Sequence, residues 1–470
     1  MHLTEQSKIY FIGIGGIAMS ATAGIAKQMG FEVSCSDSKE LYYPAKGVLT
    51  DEHIPYHIGY DANHVKNFSN TIFVASAGED ERNPEIAELR KNNVHIYSLS
   101  EMLRELFSDK LRIVVTGTHG KSTTTAMLGK ALSEIDNSSF MTGAVLTDLN
   151  KNFHVGDGHY AVFEGDEYKA LYDDPTPKFI QYEPDILLLT NLEFDHPDMF
   201  ESLEDIKNEL ALLIHRMPDD GVIVYNSDNA ELVKLVHESN LGSISFALDT
   251  DSDFTATEIQ TTNDYTKFLV KRRGDFPSEE YKITAFGRIN VYNALGPIAL
   301  LRTLGFSIEQ VQSGLDNYEG IKRRFEYIGQ HSSGAKVFDD YAHHPTAVKE
   351  TLATARLRFP DSKIWAIFEP HTFSRTEAVI NEISESFIDA NEVLISEIYP
   401  ARERKTETSI TGETVVKHIS KHTPNVKLIQ NKEEALQILN AELSKNDVVI
   451  IMAVGDFNTL AQKLTNTYAA

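Results

Sequence analysis

The sequence predicts an α/β protein of three domains in series, and three observations carry that reading. Short apolar runs alternate with helical stretches along the whole chain. Two glycine-rich turns, Gly13 to Ala18 and Gly117 to Ser122, each follow such a run and open a helix. The length of 470 residues exceeds one ordinary core, at roughly 100–200 residues per domain.

The first block opens as strand, turn and helix: Lys8 to Ile12, the glycine turn, then a helix through about Met29. A strand from Phe31 to Ser34 leads to Asp37, and strands at Thr71 to Ser76 and Val94 to Tyr97 flank a helix from Pro84 to Asn92. The turn Gly13-Ile14-Gly15-Gly16-Ile17-Ala18 has the Gly-x-Gly-x-x-Ala form of a Rossmann-like domain, with Asp37 in the place of a ribose-binding acid. Glu105 to Lys110 reads as a polar link, so this domain is expected over 1–108.

The second block, 109–316, starts with a strand from Leu111 to Val115 that runs into Gly117-Thr118-His119-Gly120-Lys121-Ser122-Thr123. This is a phosphate loop. Glycines let backbone amides face phosphate oxygens, Lys121 supplies a compact positive charge, and the Ser122 hydroxyl suits Mg²⁺. Val115 stands where the general motif has glycine, so this is a narrower form of it. Further strands at Tyr160 to Glu164, Ile186 to Asn191 and Gly221 to Asn226 end in polar residues, where parallel sheets bind ligands. The polar stretch 250–283 is expected to add a few antiparallel strands.

Carboxylates and an imidazole beside the loop, in Glu164 to Tyr168 and Asn191 to Asp198, suit one or two Mg²⁺ ions bridging triphosphate and acceptor. Either segment alone also reads as a solvated acidic loop. Asn290 and Asn293 share one helix face and could pair with an adenine edge, although capping by Asn290 is as good a local reading.

The third block, 317–470, is a second Rossmann-like alternation, with strands near Val337 to Asp339, Ile364 to Phe368, Glu392 to Ile395, Val426 to Ile429 and Val448 to Met452. Arg323 and Arg324 at its start could reach a terminal phosphate from a neighbouring domain; a surface ion pair is the plainer reading. The twin histidines His343 and His344 suggest zinc at first sight. With one cysteine and no matching second pair, no zinc site is expected.

Composition excludes several classes. Apolar residues at 41% and charged residues at 24% are globular values, and no low-complexity run appears. Sixty-nine acids against 44 bases give a net charge of −25, which repels nucleic acid and anionic lipid. The lone Cys35 fits a reducing compartment, and neither a signal peptide nor a membrane span is legible. A cytoplasmic protein, monomeric or homodimeric, is expected. On the first glycine turn alone a nicotinamide oxidoreductase stays open, as does a non-catalytic nucleotide-binding module; the second nucleotide loop and the strand-end acids weigh against both.

Taken together, Gly117 to Ser122, Glu164, Asn191 to His196, the Asn290/Asn293 helix, Arg323-Arg324 and Asp340 to Pro345 resemble the Mur ligases, in the right order along the whole chain. The turn Phe11 to Ser20 is similar to the branch acting on UDP-N-acetylmuramate itself. The resemblance implies a UDP-sugar-binding domain, a central P-loop ATPase domain and a C-terminal domain receiving the amine.

It further implies that Gly117 to Thr123 hold ATP; Ser122, Glu164 and His196 ligate Mg²⁺; Asn290 and Asn293 contact adenine; Asp340 meets the ribose; and Arg323 or Arg324 lies near the phosphates. Gly13, Gly15, Gly16, Ile17 and Asp37 would line the sugar-nucleotide site. Lys121, Glu164, His196, Arg323, His343 and Arg375 would serve catalysis, with His343, His371 and Arg375 bordering the sugar carboxylate and the amine. His371 to Thr376 and Glu397 to Glu403 resemble enzymes that take L-alanine. Tyr168 and Asp173 to Phe179 resemble instead a sister enzyme that attaches a recycled tripeptide.

Overall fold

Strands covered by helices on both faces read as unbroken apolar runs, and such strands build the centre of each of three successive sheets. The computed structural model describes residues 3–4, 6–195, 199–401, 403–406 and 409–465.

The first sheet has β1 (Lys8–Ile12), β2 (Glu32–Asp37), β3 (Tyr56–Ile58), β4 (Thr71–Ala75) and β5 (Ile96–Tyr97), all parallel in the order β3-β2-β1-β4-β5. β1 lies between β2 and β4, so the strand order reverses beside it and a crevice opens at its carboxyl end, where Gly13 sits.

The second sheet comprises β6 (Leu111–Thr116), β7 (Ser139–Met141), β8 (Phe153–His154), β9 (Tyr160–Glu164), β10 (Ile186–Leu189), β11 (Val222–Asn226), β12 (Gly242–Ala247), β13 (Phe254–Thr261), β14 (Thr266–Arg272) and β15 (Glu279–Ile283). Their order is β15-β14-β13-β12-β11-β10-β6-β9-β7-β8. β6 lies between β9 and β10, both parallel to it, so three strand ends converge on one crevice. The antiparallel β13-β14-β15 edge matches the expectation for 250–283.

In the third sheet β16 (Glu326–Gln330), β17 (Lys336–Asp340), β18 (Ile364–Phe368), β19 (Glu392–Ile395), β20 (Val426–Leu428) and β21 (Val448–Met452) run β16-β17-β21-β18-β19-β20, with only β16 antiparallel. Trp365, Ile367, Val449 and Ile451 are fully buried against the helices of one face.

The expected polar link Glu105 to Lys110 is turn from Phe107 onward, and a helix not foreseen from the sequence runs into it. Leu99–Leu106 is helical, capped by a reciprocal Ser98–Glu101 box, and buries Leu99, Met102, Leu103 and Leu106. That spacing puts them on one face, a helical period stronger than the flanking charges. The same element ties the first two sheets together, since Ser100 Oγ donates to Gln181 Oε1 at 2.9 Å.

Candidate active site

The phosphate loop joins β6 to the helix Lys121–Asp136 through two left-handed glycines. Gly117 has φ +138° and Gly120 has φ +80°. A Cβ on Gly117 would fall 2.3 Å from Thr190 Oγ1, and one on Gly120 2.3 Å from Asn293 Oδ1. Both positions therefore exclude any side chain. The loop is braced from β10: Asn191 Oδ1 accepts from His119 N at 2.8 Å, and Thr190 Oγ1 donates to His119 O at 2.7 Å.

Lys121 is not the exposed cation that a loop lysine suggests. Its side chain is 14% exposed, donates to Gly117 O at 2.7 Å and pairs with Glu167 Oε2 at 3.0 Å. Burial opposes its charge, yet Glu167 with Glu164 and Asp166 nearby holds the ammonium above its ordinary range. Glu164, at the end of β9, accepts from Ser122 Oγ at 2.8 Å, Thr142 Oγ1 at 3.1 Å and Gly143 N at 2.5 Å. Thr123 is buried on the same helical turn, and Thr124 Oγ1 donates to Asn293 Oδ1 at 3.3 Å. His196 lies outside the described residues.

Beside the loop is a cleft of about 230 Å³ lined by His119, Asn191, Glu193, Asn226, Ile289 and Asn293, among others. Asn293 borders it, whereas the Asn290 amide donates to Phe286 O at 2.7 Å and its carbonyl accepts from Asn293 at 3.1 Å. Asn290 thus orients Asn293 rather than capping the helix with its side chain, and the N-cap residue is Gly287. Sequence reasoning missed Asp228 and Tyr292, which also line the cleft; Tyr292 OH donates to Asp228 Oδ2 at 2.7 Å. The available signal was Asp228 two residues after Asn226, again at a strand end.

The third sheet closes on this crevice. Thr346 Oγ1 donates to Glu193 Oε2 at 2.9 Å, and Arg375 Nη2 lies 2.6 Å from Asp195 Oδ1, with both side chains under a tenth exposed. Arg375 Nη1 is 3.1 Å from His371 Nδ1, and the His371 ring meets that of His343 edge-on at 5.6 Å. His343, His371 and Arg375, separate in sequence, form one cluster there. Burial, reinforced by the Arg375 charge, holds the His343 imidazole well below its usual range, so it is neutral. Burial, with His119 beside it, lowers His344 to about 4.

The two arginines of the seam differ. Arg323, at φ +63°, donates to the carbonyls of Ala453 and Val454, lies 3.4 Å from Asp339 Oδ2 and covers the Tyr341 ring, so it is built into its own domain. Arg324 is exposed, 5.6 Å over the same ring. Asp340 is buried and accepts from Phe325 N at 2.8 Å and Ala342 N at 2.7 Å, bracing the loop that carries the twin histidines.

In the first sheet the glycine turn folds onto Asp37, whose Oδ2 accepts from Gly15 N at 2.7 Å. Gly13 has φ +76°, and a Cβ there would come 2.9 Å from Glu79 Cγ. Gly16 is the N-cap and Ile17 the first residue of the helix Ile17–Gln28, which leaves the amides of its first turn at the crevice.

These three domains and their seam define a ligase of one family, and the chain belongs to it: the Mur ligase family. Residues 8–111 match the model of the Mur ligase family catalytic domain, 115–301 the Mur ligase middle domain, and 323–455 the Mur ligase glutamate ligase domain. The UDP-N-acetylmuramate--L-alanine ligase of Desulfitobacterium hafniense is 36% identical, covering 97% of this chain and 99% of its own. That of Caldicellulosiruptor bescii is 34% identical, over 96% and 97%. Among solved structures, a UDP-N-acetylmuramate-alanine ligase from Thermotoga maritima superposes with a TM-score of 0.79 at 25% identity, covering 98% of this chain and 99% of that one. A murein peptide ligase from Psychrobacter arcticus gives 0.70 at 26%, over 99% and 100%.

Proposed function

We propose that this protein is an ATP-dependent ligase that joins L-alanine to the carboxylate of UDP-N-acetylmuramate in cytoplasmic peptidoglycan synthesis. The observation that carries the reading is a phosphate loop, with Lys121 and the Ser122–Glu164 pair, facing a seam into which the third domain inserts Arg375. Residues 1–108 would bind the UDP-sugar through Gly13, Gly15, Gly16, Ile17 and Asp37, 109–316 would bind ATP, and 317–470 would present the amine.

A carboxylate is a poor electrophile. Its oxygen attacks the γ-phosphorus of ATP, ADP departs, and an acyl phosphate forms, while Lys121 neutralises charge on the transferring group. The amine then attacks the acyl carbon, phosphate leaves with the bonding pair, and the amine loses a proton. Neutral His343 is suited to take that proton, with His371 beside it. Arg375 would hold the carboxylate of the amino acid through a forked pair. Closure of the seam excludes water from the acyl phosphate.

Mg²⁺ fits the residues present. Ser122 Oγ and Glu164 Oε1 are hard oxygen donors 2.8 Å apart, and Gly143 keeps clear the space where a Cβ would fall 2.8 Å from Glu164 Oε2. When bound, the ion would neutralise phosphate charge, with His196 as a further ligand. The adenine contacts are assigned to Asn293, oriented by Asn290, and the outer phosphates to Arg324; Asp340, taken up by two backbone amides, and Arg323, held by the Ala453 and Val454 carbonyls, brace the loops around the nucleotide instead of reaching it. L-Alanine is favoured over a tripeptide by the named relatives.

The test is isotopic. With ¹⁸O in the carboxylate of UDP-N-acetylmuramate, one ¹⁸O per turnover should appear in inorganic phosphate. Phosphate free of label would overturn the acyl-phosphate route.

A further inference from the structure

Three side chains from separate segments converge where the third domain meets the phosphate loop. His119 belongs to the loop, Glu193 follows β10, and His344 is the N-cap of the helix Pro345–Arg358. Their potential ligand atoms all lie within 4.8 Å of one another. His119 Nε2 and Glu193 Oε2 are 3.4 Å apart, and the two imidazole centroids are separated by 4.4 Å.

The cluster is not satisfied by its own hydrogen bonds. His119 Nε2 is buried and makes no hydrogen bond, since its approach to Glu193 has the wrong geometry for one. Its polar neighbour is the Glu193 carboxylate, which the approach of His119 holds below the usual carboxylate range, so the pair is joined by charge and not by a well-formed hydrogen bond. His344 is 7% exposed, and the bond its Nδ1 accepts from Thr346 N is long, at 3.4 Å.

Two imidazole nitrogens and one carboxylate oxygen are the donors of a three-ligand zinc site with its fourth position open. They differ from the oxygen pair of Ser122 and Glu164, which suits a hard cation. Tetrahedral bonds of about 2.0–2.1 Å set ligand atoms about 3.3 Å apart. The His119–Glu193 pair already has that spacing, and since no separation exceeds 4.8 Å, side-chain rotation needs to close the others by about 1.5 Å at most.

We propose that His119, Glu193 and His344 form an interdomain site for one divalent transition ion of the Zn²⁺ class, distinct from the Mg²⁺ position. Glu193 and His119 line the nucleotide cleft, so the ion's open position faces that cleft. An ion there would clamp the third domain onto the phosphate loop. The site stands independently of the ligase reading.

The test uses Co²⁺ with the full chain, free of nucleotide and Mg²⁺. The parent should take up one equivalent with the intense visible absorption of tetrahedral cobalt, and its melting temperature should rise. Glu164→Gln should keep that spectrum. His344→Asn retains a capping acceptor, and Glu193→Gln retains an acceptor for Thr346; each should weaken Co²⁺ binding by at least ~10–100-fold while melting as the parent does without the ion. In the parent itself, paramagnetic shifts should fall on the imidazole signals of His119 and His344. No tetrahedral absorption in the parent, shifts confined to other histidines, or a spectrum lost in Glu164→Gln and kept in His344→Asn would overturn the proposal.

Discussion

Arg375 and Asp195 form a buried ion pair across the seam between the second and third domains, with Arg375 Nη2 2.6 Å from Asp195 Oδ1. The guanidinium that the ligase reading assigns to the incoming amino acid thus already holds a carboxylate of the chain. An amino-acid carboxylate arriving here competes with Asp195 or shares the fork.

Replacing Arg375 by Lys keeps the charge and loses the second prong. The KM for L-alanine should rise at least ~10-fold, while the KM for ATP changes little, because the lost interaction belongs to the amine. Equal rises in both constants, measured by initial-rate kinetics, would place Arg375 in domain closure rather than amine binding.

Lys121→Ala should lower kcat by about 10²–10³-fold or more through loss of charge stabilisation in transfer. It should also lower stability, since Glu167 at 13% exposure loses its ion pair with Lys121. The double variant Lys121→Ala/Glu167→Gln should recover the melting temperature without recovering phosphate release. Activity regained in the double variant would contradict the role given to Lys121.

Glu164→Gln replaces a charged oxygen donor by a neutral one. The Mg²⁺ concentration for half-maximal turnover should rise about 10-fold or more, comparable to the loss of a supporting group in other metal sites. An unchanged Mg²⁺ titration would detach Glu164 from the metal.

His344 titrates at about 4 in the folded protein against an ordinary 6.5. The unfolded chain therefore binds this proton first as pH falls, so the stability tied to the neutral ring is complete above pH 6.5 and is lost between 6.5 and 4. The loss reaches roughly 3 kcal/mol at its acid end. His344→Asn should flatten the fall of melting temperature between pH 7 and pH 4.5. A variant with the parent's full acid dependence would assign that loss to other groups.

Much of the site was legible because strand, glycine turn and helix are local patterns. The phosphate loop, Glu164 at the end of β9 and the β13-β14-β15 edge all follow from short-range sequence. Pairings across the seam were not. The sequence places no second ligand pair near His343 and His344, whereas the fold supplies His119 and Glu193 from the second domain. Likewise the Lys121–Glu167 pair and the turn of Asn290 toward Phe286 depend on backbone placement that no local spacing encodes. The helix Leu99–Leu106 shows the reverse case, a period hidden beneath conspicuous charges.

The most direct test of the central claim is phosphate release from ATP with UDP-N-acetylmuramate and a panel of amines, with the product identified by mass. L-Alanine should give one ADP, one phosphate and one amide product per turnover, and omission of either acceptor should abolish release. Rapid turnover with the L-alanyl-γ-D-glutamyl-meso-diaminopimelate tripeptide and none with L-alanine would contradict the account.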